Sequence, residues 1–104
     1  MTEHTIQLHY FDSCPSWRTA DRRLREVLAE LGADIEIEYV RARSPEDAQR
    51  LGFRGSPSVL IDGHDPFADA SPAVGWACRL YRTESGLDGS PSVAQLRQVL
   101  GGLT

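Results

Sequence analysis

The run Leu8-His9-Tyr10-Phe11-Asp12-Ser13-Cys14-Pro15-Ser16-Trp17 constrains the fold most, because within it the apolar period changes from that of a strand to that of a helix. Residues 5–11 carry Ile6, Leu8, Tyr10 and Phe11, which predicts a central strand. From Pro15 onward, Trp17, Ala20, Leu24, Val27, Leu28 and Leu31 recur at helical spacing. Arg18, Arg22, Arg25, Glu26 and Glu30 fall on the outer side, and Gly32 stops the helix. Proline is tolerated at the first helical position, where its missing N–H would have had no partner. Cys14 is thereby placed at or beside the helix N-cap. There the free backbone N–H groups and the positive end of the helix dipole favour a thiolate, the reactive form of cysteine.

The remaining segments follow the same logic. Ile35, Ile37 and Tyr39 alternate with Glu36, Glu38 and Val40, a strand with one wet face and so an edge. Ser44-Pro45-Glu46-Asp47 begins a short helix with a capping serine, a first-turn proline and first-turn acids; Gly52 ends it. Residues 58–61 predict a third strand, closed by Asp62-Gly63. A connection over residues 64–75 leads to a fourth strand, in which Trp76, Cys78 and Leu80 share the inward face and alternate with Ala77, Arg79 and Tyr81. After a turn at residues 86–89, Ser92 and Gln95 form a capping box. Val93, Leu96, Val99, Leu100 and Leu103 line the last helix. The expected order is β-α-β-α-β-β-α in one domain over residues 1–104. The first two strands are parallel through a right-handed crossover, and the third and fourth pair antiparallel.

A hydrophobic content of 40% and a charged content of 25% are ordinary for a soluble domain, and a net charge of −4 argues against a nucleic-acid partner. No apolar run reaches the length of a membrane span, and the N-terminus lacks the basic and apolar parts of a signal sequence; a cytoplasmic location is the expectation. Two cysteines are too few for a secreted disulfide scaffold. No oligomeric state follows from the chain.

The element order, a cysteine at the first strand–helix junction, and Gly55-Ser56-Pro57-Ser58-Val59 ahead of the third strand resemble the thioredoxin-like superfamily over nearly the whole chain. The resemblance implies an α/β fold with a four-stranded mixed sheet flanked by helices. It also implies a cis Pro57, and Ser56 beside Cys14 where it can dock a peptide or thiol. Where the family carries a resolving cysteine, this chain has Trp17. The activity implied is therefore that of a thiol–disulfide oxidoreductase lacking its resolving thiol. Cys14 would exchange with a small thiol or a protein disulfide, and an external thiol such as glutathione or mycothiol would release the adduct. Cys78, several residues short of the active end in that fold, reads as a buried apolar residue rather than a bridging partner.

The supporting residues carry two readings each. Asp12 is either a proton donor and acceptor for the thiol or a turn residue. Ser13 and Pro15 tune the junction. Trp17 packs as a lid or stacks on a ligand, and Arg54 holds an anionic group or is a solvated surface arginine. His4, His9 and His64 show no metal-ligand spacing, so no metal and no cofactor is expected. Two other functions stand beside the redox reading. One is a binding module in which Trp17 and the Pro57 loop form a docking surface. The other is heavy-metal or organomercurial binding by Cys14, Cys78 and Asp12, suggested by a weaker similarity to small bacterial proteins described as related to alkylmercury lyase.

Overall fold

The computed structural model describes residues 4–67 and 75–102, with the backbone alone for residues 75–77. The inner part of the expected connection, the Trp76 side chain and Leu103 lie outside the described residues. The elements run β1 (Ile6–Tyr10), α1 (Ser16–Glu30), β2 (Ile37–Arg41), α2 (Pro45–Leu51), β3 (Arg54–Ser56), β4 (Ser58–Ile61), β5 (Gly75–Cys78), β6 (Tyr81–Thr83), β7 (Gly86–Asp88) and α3 (Val93–Gly101). The class is mixed α/β.

β1 is the central strand of a three-stranded sheet ordered β2-β1-β4. The α1 crossover makes β2 parallel to β1, and β4 runs antiparallel on the other side, so that Leu8 stands between Tyr39 and Val59. Alternation along β1 divides the core in two. Ile6 and Leu8 meet Ala20, Leu24, Val27 and Leu28 of α1, Val59 of β4, and Leu96 and Leu100 of α3. Burying each such leucine contributes about 1.5–3 kcal/mol. On the opposite face His9 stacks on Phe53 with ring centroids 4.7 Å apart, and Phe53 packs with Ala42 and Ala48 of the α2 layer. Both faces of β1 are therefore covered, as its apolar run requires. The edge strand β2 is tied to α1 where the Tyr39 hydroxyl donates to Asp21 at 2.5 Å.

The helix punctuation follows the expected chemistry. Ser44 accepts from the Asp47 N–H at 3.0 Å, and Ser92 and Gln95 close a reciprocal capping box. Gly32 and Gly52 take positive φ just beyond α1 and α2. Pro15 is the N-cap of α1 rather than its first residue, which leaves Cys14 one place ahead of the N-cap.

The four-stranded sheet is not formed among the described residues, and the expected antiparallel pairing of the third and fourth strands is replaced. β4 pairs with β1, whereas β5 runs parallel to β3, with Ser56 opposite Cys78. Pro57 lies between β3 and β4 and has no N–H to give to a ladder, so the two segments serve different partners. β6 and β7 form a separate hairpin that turns at residues 84–85, so the turn expected at residues 86–89 is mostly strand β7, and Tyr81, expected at the end of the fourth strand, begins β6. The inward face expected for residues 76–80 is also inverted at its end. Arg79 and Tyr81 are buried, while Leu80 is 66% exposed. The strand stops at Cys78, so its alternation does not carry on to residues 79–81. Among the described residues no helix is long and apolar enough to cross a membrane.

Candidate functional site: the Cys14–Cys78 bridge

β1 ends at Tyr10, and the chain turns through Phe11 to Ser13, with the Cys14 N–H donating to the Phe11 carbonyl at 3.2 Å. Asp12 and Ser13 are exposed, and Cys14 turns inward to 1% exposure. Ser56 organises the junction. Its hydroxyl accepts from the Phe11 N–H at 3.2 Å, and its carbonyl oxygen lies 3.4 Å from Cys14 Sγ and accepts from the Arg79 N–H at 2.9 Å. The Ser56–Pro57 bond is cis, as the resemblance implied, and Ser56 does lie beside Cys14.

Cys14 and Cys78 form a disulfide, with Cα atoms 5.8 Å apart, inside the span that such bridges need. This corrects two expectations. Cys78 is not a buried apolar residue but an exposed one, and Cys14 is not a lone accessible thiol. The cause is the strand pairing. An antiparallel partner of β4 would leave Cys78 short of the junction, but the parallel β3–β5 ladder sets it opposite Ser56, the residue that already touches Cys14.

A buried cation fixes the residue after Cys78. Arg79 pairs with Asp65 at 2.5 Å, donates to Ser58 Oγ at 3.0 Å and to the Phe67 carbonyl, and lies 4.6 Å from the Tyr81 ring centroid. The Tyr81 hydroxyl in turn donates to the Pro57 carbonyl. Burial raises the pKa of that phenol well above the usual tyrosine value. Arg79, Asp65 and Tyr81 carry no mark in the sequence as site residues. The hydrogen bonds that tie Arg79 to Asp65 and the Phe67 carbonyl, and Tyr81 to the Pro57 carbonyl, span 12 to 24 positions, so the local Arg79–Tyr81 ring contact and the Phe67 N–H bond to Asp65 do not announce them.

The other expected residues surround this centre without all reaching it. Asp12 pairs with Arg41 at 2.8 Å beside a cleft of about 200 Å³ shared with Ser13 and Arg43. Pro15 caps α1. Trp17 packs on the core and stacks on Tyr10 at 4.3 Å, with the Arg18 guanidinium 5.4 Å from its centroid. Arg54 lines a cleft of about 360 Å³ with His9, Ser58, His64 and Asp65 that contains neither cysteine. His9 there is held below the usual histidine pKa by burial, against weaker upward pulls from Asp65 and Glu38. Among the described residues no cluster of three or more His, Cys, Asp or Glu is placed to hold a metal ion.

The site is a disulfide that joins a cysteine inside the domain to one at its surface. No protein-family model matches the chain, and comparison with curated proteins finds no similar sequence.

Proposed function

We propose that this domain performs thiol–disulfide exchange through the Cys14–Cys78 pair, on a thioredoxin-like variant of the α/β fold. The observation that carries the reading is the bridge itself, set between the β1–α1 junction and the Ser56–Pro57 turn, with Cys78 exposed. The second sulfur comes from β5 in place of position 17, so an internal thiol does the work that the sequence assigned to an external one. The substrates are small thiols or protein disulfides, and the setting is cytoplasmic, where a disulfide in a mesophile usually takes part in chemistry rather than in scaffolding. The parallel β1–α1–β2 unit and the cis Ser56–Pro57 turn against Cys14 support the thioredoxin-like assignment.

Equilibration with glutathione buffers tests the reading. Exchange chemistry requires the bridge to open within the range that the glutathione pool spans, and turnover of a model protein disulfide by dithiothreitol should require both Cys14 and Cys78. A bridge that stays closed below about −300 mV would mark a purely structural staple, and turnover that survives Cys14→Ser would end the proposal.

A further inference from the structure

Resting on the exchange reading above, we infer that Cys78 is the sulfur through which outside thiols enter and leave, and that Cys14 is the internal partner. This reverses the roles that the sequence suggests. Opening a disulfide requires a thiolate to reach the attacked sulfur from the side opposite the bond that breaks, so access decides which sulfur is attacked. Cys14 is 1% exposed and packed against the Ser56 carbonyl, whereas Cys78 is an exposed residue. Its backbone is held all the same, because the next residue, Arg79, donates its N–H to Ser56 and its guanidinium to Asp65 and Ser58.

An incoming thiolate bonds to Cys78 Sγ while the Cys78–Cys14 bond breaks, and Cys14 leaves with the electron pair and takes a proton from water. The Ser56 carbonyl, 3.4 Å from Cys14 Sγ, is in place to accept from the new S–H. A second thiolate then attacks the outer sulfur of the adduct. It leaves with the first as a disulfide and releases Cys78 as thiolate, so two thiols are oxidised and the protein bridge is reduced. In the other direction the Cys78 thiolate attacks a substrate disulfide, and Cys14 closes the bridge and expels the second substrate thiol.

The test is to treat the oxidised protein with glutathione, quench with acid, alkylate in denaturant and digest with trypsin. Cleavage after Arg18, Arg54 and Arg79 separates the two cysteines onto different peptides. Glutathione is expected on the Cys78 peptide in at least about tenfold excess over the Cys14 peptide. In parallel, an aromatic disulfide reagent should react at least about tenfold faster with Cys78 in reduced Cys14→Ser than with Cys14 in reduced Cys78→Ser. The peptide mapping uses the unaltered chain, so it distinguishes the two sulfurs even if a variant fails to fold. An even split, or an excess on Cys14, overturns the assignment and leaves the exchange reading standing. A bridge that no glutathione buffer opens overturns both.

Discussion

Arg79 and Asp65 are paired at 2.5 Å with each side chain only 4% exposed, so a full charge pair sits inside the domain one residue from the bridging Cys78. Removing two charges from water is unfavourable, and the pair is sustained only because the guanidinium finds further acceptors in Ser58 and the Phe67 carbonyl. Breaking it from one side strands the other charge. Arg79→Ala is expected to lower stability by about 3–5 kcal/mol in urea titration. The double variant Arg79→Met/Asp65→Leu should recover most of that loss, since it leaves no buried charge. If the double variant is no better than the single one, the cost lies in packing rather than in the stranded carboxylate.

The bridge makes its own contribution. It joins positions 64 residues apart, and such a cross-link stabilises mainly by shrinking the unfolded ensemble. Cys78→Ser should cost about 2–4 kcal/mol relative to the oxidised protein. Cys78 is the side to change because it is exposed, so the new hydroxyl stays in water. Dithiothreitol should bring the unaltered chain down by a similar amount and leave the variant unmoved. A reductant effect that persists in Cys78→Ser would show that the loss comes from elsewhere.

What could be read from the sequence, and what could not, divides by distance along the chain. The β1–Cys14–α1 junction, the Ser92–Gln95 capping box and the stops at Gly32 and Gly52 all rest on interactions within a few residues, and each appears where local chemistry puts it, with Pro15 moved from the first helical position to the N-cap. Ser56 beside Cys14 came instead from the family resemblance. The pairing of β5 with β3 was not visible, because strand parity says which face a residue takes only once the partner strand is known. That one unseen pairing decides whether Cys14 and Cys78 meet. Arg79 is the sharpest case. An arginine in an alternating run reads as outward, and only the long-range meeting with Asp65 makes its burial tolerable.

Gly89 marks a second place where the α1 start is under outside control. A Cβ built there would overlap the Ser16 hydroxyl and stand 2.7 Å from Ser16 Cβ, and Ser16 is the first residue of α1. Gly89→Ala is expected to destabilise by about 1–3 kcal/mol through overpacking. Adding Ser16→Gly removes both clashing atoms and should restore much of the midpoint in urea, less a small helix-propensity cost of up to about 1 kcal/mol. No rescue would place the strain elsewhere in the loop.

His9 links the fold to pH. Burial disfavours its charged form and lowers its pKa from the ordinary 6.5, and Asp65 and Glu38 only partly oppose this. Between the lowered folded value and 6.5 the unfolded chain binds more protons than the folded one at this site, so stability there rises with pH. The contribution is in full force above 6.5 and is lost as the pH falls below it toward the folded value. The stack on Phe53 and the 3.1 Å contact between Nε2 and Gln7 Oε1 hold the ring where it is desolvated. Urea midpoints followed from about pH 7.5 down to about 5.5 should therefore fall more steeply for the unaltered chain than for His9→Gln, which has nothing to titrate at that position. Parallel slopes would mean that His9 picks up its proton equally well in the folded and unfolded states, and the burial argument for this residue would fail.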